Sequence, residues 1–418
     1  MIRRPDTGPG AGSGAASVAA RNRLWARLNA AVAAHPDPLA TPLMVVDLEA
    51  FDANAADLTR RAGGTSIRVA SKSLRVPALI ARALATPGFR GVLGYTLAEA
   101  LWLVEQGISD DVVVAYPTVD RGALTRLVGS PSAAAKITLM VDSVEHLDVI
   151  DSVRSSKAVP VRVALDVDAG LRVAGQHLGP KRSPLFHADA VFALARTVIA
   201  RPGFRLVGVM TYEGQVAGLA DDVPGQRAHS FAVRRVKALS VTQLQARRAA
   251  IVTGLHELAE LEFWNAGGSG SLETSAADPT VTEVTAGSGL LVPALFDHYR
   301  AFEPRPAAFF GVPVTRRPGP GVVTVHGGGL VASGAAGPDR LPTPWAPAGL
   351  ALTSLEGAGE VQTPLTGEPA DRLRIGDLVW FRHAKSGELF EHTPTCQLVE
   401  GDAIVGAATS YRGHGLAF

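Results

Sequence analysis

The feature that most restricts how this chain can fold is an alternation. Between about Leu43 and Leu291, short apolar β-like runs are separated by stretches with helical periodicity. The runs are Ile67–Ala70, Gly91–Leu93, Val112–Ala115, Ile137–Val141, Val161–Val167, Leu206–Met210, Glu262–Asn265 and Thr282–Thr285. They are short, largely apolar and rich in β-branched residues, as strands buried on both faces should be. Alternation of this kind builds a parallel sheet with crossover helices. Helices fit the gaps. After Asp47, a plausible N-cap, Leu48, Phe51, Ala55 and Leu58 fall on one helical face. Thr96-Leu97-Ala98-Glu99 reads as a capping box, followed by apolar Leu101 and Val104. Eight strands in roughly 250 residues predict an α/β fold with a (β/α)8 barrel. An open doubly wound sheet is the alternative.

Beyond Tyr299 the texture changes. Pro304, Pro306, Pro313, Pro318 and Pro320 break any helical pattern, and short β runs follow at Val322–Val325, Gly349–Leu355 and Leu378–Phe381. The expected organisation is a flexible head and N-terminal helix over 1–40, a barrel over 41–298 and a C-terminal all-β domain over 299–418. The length of 418 residues itself favours two domains. With 47% hydrophobic and 19% charged residues, a large core is available. Forty Lys and Arg against 39 Asp and Glu leave no general field for nucleic acid or an anionic membrane. Cys396 is the only cysteine, which excludes an internal disulfide and makes the cytoplasm the expected compartment. No apolar run approaches the roughly 20 residues that span a bilayer. Arg3-Arg4 suggests a twin-arginine signal, but the Gly-, Ala- and Ser-rich stretch from Asp6 to Ser17 lacks the apolar segment such a signal needs.

The chemistry centres on Lys72. It follows the run Ile67–Ala70 directly, at the expected C-terminal end of a strand, where barrel enzymes place catalytic residues. A partly desolvated lysine there can form an imine; taken alone, a surface lysine opening a loop explains it as well. Two glycine-rich loops shift the balance. Gly267-Gly268-Ser269-Gly270-Ser271 follows the seventh expected strand and Gly287-Ser288-Gly289 the eighth. Backbone N–H groups free of side chains can converge on a phosphate there, with the Ser269 and Ser288 hydroxyls as further donors. Gly-Ser turns are common, so neither loop decides alone. A phosphate site beside a strand-end lysine describes an aldehyde cofactor held at both ends.

Five ordered segments resemble the fold-type III pyridoxal-phosphate enzymes, the alanine racemase-type barrels. They are Thr41-Pro42-Leu43-Met44-Val45-Val46-Asp47-Leu48, Arg68-Val69-Ala70-Ser71-Lys72, Asp166-Val167-Asp168-Ala169-Gly170-Leu171-Arg172, Tyr212-Glu213-Gly214, and Thr282-Glu283-Val284-Thr285-Ala286-Gly287-Ser288. The resemblance implies pyridoxal 5'-phosphate as a Schiff base on Lys72, Arg172 near the cofactor, Tyr212 facing its ring, and Gly268, Ser269, Gly270, Gly287 and Ser288 around its phosphate. The match is strongest to the D-threonine aldolase and D-serine dehydratase branch, including its amino acid deaminase/aldolase members. That branch ends its β domain with a Gly-Asp-x-Val strand and a following histidine, here Gly376-Asp377-Leu378-Val379 and His383.

The same place holds a departure. The branch pairs that histidine with an Asp or Cys two residues later to bind a divalent metal, whereas this chain reads His383-Ala384-Lys385. A protonated lysine is no ligand, and Cys396, His392 and His326 fit no standard metal spacing. A metal is therefore possible but not favoured. Lys385 either stands in as a point charge toward a substrate hydroxyl or carboxylate, or is a solvated surface lysine. Asp166 reads as structural, and Glu213 as a base or a supporting partner. His177, His187 and His229 read as exposed, and Trp380 with Phe381 as β-domain core.

The expected activity is a pyridoxal-phosphate-dependent lyase, an aldolase or a dehydratase/deaminase, acting on a D-configured β-hydroxy amino acid, with Lys72, His383 and Lys385 as catalytic candidates. An amino-acid racemase or epimerase is the enzymatic alternative. It needs an acid on the opposite face, and Tyr411, the only tyrosine after Tyr299, lies in a setting unlike that of known racemases. Further alternatives are a cofactor carrier without turnover, which the second domain argues against, and a barrel for some other phosphorylated ligand. The expected partners are a small amino acid and, by resemblance, a second copy in a homodimer.

Overall fold

The structure, a computed structural model, describes residues 17–154 and 159–418. The Arg3-Arg4 pair and the head up to residue 16 lie outside the described residues. Two compact units divide the chain. A barrel unit comprises Asp52–Leu219, Lys237–Leu290 and Thr409–Phe418; a β unit comprises the residues up to Phe51, Ala220–Val236 and Leu291–Ala408.

The barrel unit holds eight parallel strands closed into a ring: Ser66–Ala70, Phe89–Gly94, Val112–Val114, Ile137–Val141, Val161–Val167, Phe204–Thr211, Phe263–Ala266 and Glu283–Ala286. The ring closes where Glu283–Ala286 pairs in parallel with Ser66–Val69. Each expected run lies within or overlaps one of these strands, and the fold is the (β/α)8 barrel rather than the open sheet. Val113, Met140, Ala164, Val207, Met210 and Phe263 form one buried cluster in this unit. The helix Leu48–Arg61 buries Leu48, Phe51, Ala55 and Leu58 as its periodicity predicts. Asp47 caps it, accepting from the Ala50 N–H at 3.1 Å. Thr96 caps the helix Leu97–Glu105 through the Glu99 N–H at 3.1 Å. Glu99 reaches back one residue further than a standard capping box, to the Tyr95 N–H at 2.8 Å.

The β unit is built on a nine-stranded mixed sheet. Its core gathers Leu28 of the helix Val18–Ala33 with Leu43, Val45, Phe309, Trp345, Leu378, Trp380 and Val399. Trp380 and Phe381 are fully buried here, as read from the sequence.

Unit boundaries depart from chain order at both ends and at Ala220–Val236, which falls in the β unit although it lies inside the span expected for the barrel. Leu43–Asp47, expected to open the barrel, pairs antiparallel with Ala308–Gly319 and parallel with Thr395–Glu400 in the β unit. The strand is buried at every position, so its pattern carries no face preference that would have told one sheet from the other. At the other end, Thr409–Phe418 leaves the β domain expected over 299–418 and packs within the barrel unit.

Candidate active site in the barrel unit

The strand Ser66–Ala70 ends in a 3-10 turn, Ser71–Ser73, with Lys72 at its centre. Ser71 and Ser73 point inward and are buried, which turns Lys72 outward into an exposed position. Its Nζ donates to Tyr116 Oη at 2.9 Å. Tyr116 lies just beyond the C-terminal end of Val112–Val114, and Tyr212 just beyond Phe204–Thr211. Side chains from several strand ends thus gather at one mouth of the barrel. The Arg182 guanidinium lies 5.8 Å from the Tyr116 ring centroid and 5.6 Å from that of Tyr212. Burial raises the Tyr116 phenol, but the Lys72 and Arg182 charges outweigh it and bring the pKa below the ordinary value. Tyr212 goes the other way, with burial pushing its phenol up. Asp166, at the end of Val161–Val167, is pushed up to about 7, first by burial and then by the neighbouring Asp142 carboxylate.

The two glycine loops interlock. Ser269 Oγ accepts from the Gly289 N–H at 2.9 Å and the Gly287 N–H at 3.3 Å. Ser288 Oγ lies 3.1 Å from Ser73 Oγ, which ties the eighth-strand loop to the turn that carries Lys72. A Cβ on Gly287 would sit 2.7 Å from Ala70 O, and one on Gly268 would sit 3.3 Å from Ala217 Cβ and 3.4 Å from Tyr212 Cε2. Gly267 adopts a left-handed φ of 79°. Gly287 has no room for a Cβ, Gly267 needs its backbone freedom and Gly268 is closely packed, so the two loops form a glycine-rich cradle on the Tyr212 and Lys72 side of the barrel. Pyridoxal phosphate fits the chemistry of these residues: an amine on the Lys72 turn, glycine loops bearing serine hydroxyls at the other end, and the Tyr212 ring beside them.

Several supporting residues were not singled out from the sequence. Arg61 binds Glu273 at 2.6 Å and the Ser269 carbonyl at 2.7 Å, fixing the seventh-strand loop from outside. Buried Arg248 pairs with Glu213 at 3.0 Å and Asp278 at 3.1 Å. Ser271 also donates to Glu213, at 3.1 Å. Glu213, left open as base or supporting partner, is thus occupied in holding the loop. Arg172, expected near the cofactor, lies on the hairpin Leu171–Val173/Gln176–Leu178, whose turn carries Ala174 and Gly175 at positive φ. Its guanidinium stacks on Phe186 at 3.8 Å. The cation over the tyrosines is Arg182 instead. His177, read as exposed, is partly buried and bonds Asp168 Oδ2 at 2.8 Å; His187 and His229 are exposed.

His383 and Lys385 belong to the β unit. His383 is buried, and burial first and then the Arg382 charge lower its pKa to about 3, so the imidazole is neutral. Its Nε2 lies 3.4 Å from Ser386 Oγ. Lys385 Nζ donates to Ser333 Oγ at 2.6 Å and to Glu388 Oε1 at 3.3 Å. Among the described residues no three His, Cys, Asp or Glu side chains converge as a metal site would require. Cys396 is itself buried in the strand Thr395–Glu400, with its thiol pushed up to about 12 by burial. No described helix is long and apolar enough to cross a membrane.

Known proteins align with this chain in sequence and in fold. D-threonine aldolase of an Arthrobacter species is 29% identical over 259 residues, which is 60% of this chain and 62% of that protein. A 3-hydroxy-D-aspartate aldolase of Paracoccus denitrificans (strain Pd 1222) is 24% identical over 250 residues, 59% of each. The chain thus spans about three fifths of the length of these curated relatives. The crystal structure of D-threonine aldolase from Filomicrobium marinum superposes with a TM-score of 0.74 at 20% identity, covering 91% of this chain and 96% of the other. D-threo-3-hydroxyaspartate dehydratase from Delftia sp. HT23 superposes with a TM-score of 0.67 at 20% identity, covering 89% and 97%. At that identity these likenesses speak to the fold. The family described as alanine racemase, N-terminal domain, matches residues 46–292. That span is more than half of the chain and takes in every barrel strand, so this protein belongs to the alanine racemase N-terminal domain family.

Proposed function

We propose that this protein is a pyridoxal-phosphate-dependent lyase, an aldolase or a dehydratase/deaminase, acting on a D-configured β-hydroxy amino acid. The observation that carries the reading is Lys72, exposed at a barrel strand end, hydrogen-bonded to Tyr116 and beside a glycine loop packed so closely on its turn that Gly287 has no room for a Cβ. Kinship with enzymes named as D-threonine aldolase and 3-hydroxy-D-aspartate aldolase supports the substrate class. Bound pyridoxal phosphate would supply an electron sink for the bonds at the substrate's Cα. The protein's own part is to hold and move protons around it. Lys72 Nζ would serve as a base at the mouth of the barrel, with the Tyr116 phenol, its pKa lowered by the neighbouring charges, as its hydrogen-bond partner. Tyr212 and the Gly268 backbone would shape one wall. Ser269, Gly270, Gly287 and Ser288 would surround the phosphate, and Arg182, beside both tyrosines, would supply positive charge at the mouth.

His383 and Lys385 are proposed as substrate-side groups, with Lys385 as a cation held by Glu388 and Ser333. In this reading the reaction needs no divalent metal, the protein works in the cytoplasm, and it is a homodimer. Racemisation is less well supported. Tyr411, the tyrosine available as a second acid, is buried with its hydroxyl committed to Glu99 at 2.7 Å. The test is incubation of the cofactor-loaded protein with D-threonine, D-serine and 3-hydroxy-D-aspartate, following glycine, keto acid and ammonia. Product from a D-configured β-hydroxy amino acid and none from its L-isomer is expected. No product across a panel of D- and L-amino acids would overturn the lyase reading.

A further inference from the structure

The turn that presents Lys72 is held from a distant part of the sequence. It leaves the lysine through Arg75, whose φ of 53° is left-handed for a side-chain-bearing residue. Such a conformation persists only where neighbours fix it. Arg75 N–H donates to Ser71 O at 2.9 Å, and Arg75 Nε donates to Lys72 O at 3.1 Å. The Arg75 carbonyl accepts from the Tyr411 N–H at 2.9 Å. On the other side of the lysine, the Ser71 hydroxyl is within reach of Leu93 O at 3.2 Å and of the Glu99 carboxyl. Glu99 in turn accepts from Tyr411 Oη at 2.7 Å. Tyr411 therefore touches both supports of the lysine turn, one through its backbone and one through its hydroxyl.

We propose that Tyr411 and Glu99 are positioning residues for Lys72, with the segment Thr409–Phe418 serving as a latch on the turn that carries it. The inference rests on the reading of Lys72 as the cofactor anchor. Trp102 and Phe418 box the Tyr411 ring edge-on at 5.6 and 5.1 Å, and His414 lies 5.3 Å from Trp102. If the segment served only as apolar cover, a phenylalanine would fill that box without the cost of burying a hydroxyl and a carboxyl. A fully satisfied buried pair instead fixes one geometry. Burial, partly offset by these hydrogen bonds, raises the Glu99 carboxyl to about 7, and Arg75 is the charged group facing it, with the Tyr95 and Tyr411 phenols alongside. The support beneath Lys72 thus changes charge near neutral pH.

Tyr411→Phe tests this, because it keeps the boxed ring and deletes only the hydroxyl. The readouts are absorbance titration of pyridoxal phosphate onto the protein, the pH midpoint of the bound cofactor's visible band, and thermal unfolding. Cofactor affinity is expected to fall about tenfold, as for loss of one buried hydrogen bond to a carboxyl. The band's pH midpoint is expected to move by about half a unit or more. Glu99→Gln, which keeps an acceptor for Tyr411, should retain more affinity than Glu99→Ala, and it decides the matter if Tyr411→Phe does not fold. Phe418→Leu, a packing change alone, should lower the melting temperature without moving the pH midpoint. The latch is refuted if Tyr411→Phe binds and titrates like the parent, or if Phe418→Leu shifts the midpoint equally. A parent band that is lost in Lys72→Ala but unmoved in Tyr411→Phe sinks the latch alone. A parent with no Lys72-dependent band sinks the cofactor reading and the latch with it.

Discussion

Gly287→Ala probes the join between the phosphate cradle and the lysine turn. The added Cβ would lie 2.7 Å from Ala70 O, 2.8 Å from Ala70 Cβ and 2.9 Å from Ser73 Cβ. Carbon atoms in good contact stand about 3.5–4.0 Å apart, so each approach is too close by several tenths of an ångström or more. None of the three neighbours is the far end of a flexible side chain, and relief must come from the backbone of the lysine turn or of the loop Gly287-Ser288-Gly289. Overpacking of this kind costs about 1–3 kcal/mol. Taking about 2 kcal/mol, a unit of this size should lose roughly 4–8 °C in melting temperature. If the displacement also falls on the bound state, cofactor affinity drops about 30-fold. The assay pairs thermal unfolding with absorbance titration of pyridoxal phosphate. Gly406→Ala, where a Cβ meets nothing within 4 Å, is the control and should change neither. Parent-like melting and cofactor affinity in Gly287→Ala would refute the claim that the loop abuts the turn closely enough to exclude a methyl group.

Four further outcomes follow from the same geometry. Arg248→Met leaves Glu213 and Asp278 buried without their cation; it should cost about 3–5 kcal/mol, measured by denaturant unfolding. Asp166 is raised from 3.8 to about 7 in the folded protein, so between those values the folded state keeps a proton that the unfolded chain has lost. Stability of the cofactor-free protein should therefore fall as pH rises from about 4 to 7, by at most about 1.4 kcal/mol per unit from this group. Asp166→Asn should remove that slope in urea melts at stepped pH, and an unchanged slope would contradict the assignment. Lys385→Met should cut turnover at least about tenfold while leaving the cofactor band intact, in keeping with loss of one charged substrate contact. Exhaustive chelation should leave the parent's turnover unaffected.

The barrel was legible because most of its strands are short, largely apolar runs, and burial on both faces leaves few other readings for Val112–Val114 or Ile137–Val141. Asp47 and Thr96 marked their helix starts because capping is local chemistry. Where partners are remote the sequence was silent. Leu43–Asp47 is apolar at four of five positions and could join either sheet; only its pairing with Ala308–Gly319 and Thr395–Glu400 decides. The glycine loops and Lys72 could be read as one site because barrel topology brings strand ends together. Arg182 could not, since it stands in a polar stretch between the hairpin and the next helix, and only the fold sets it over Tyr116 and Tyr212. Arg172 carried the motif signal, yet the turn at Ala174-Gly175 sends it onto Phe186. Tyr411 was weighed as a possible acid, and its partner Glu99 lies 312 positions away in sequence.

The central claim is that Lys72 holds pyridoxal phosphate, and reductive trapping tests it most directly. The protein is loaded with pyridoxal phosphate, reduced with borohydride and digested, and the modified peptide is located by mass spectrometry. A phosphopyridoxyl adduct is expected on the peptide carrying Lys72, with the visible band bleached by reduction and both signals absent in Lys72→Ala. An adduct on another lysine, or a band that survives in Lys72→Ala, would contradict it.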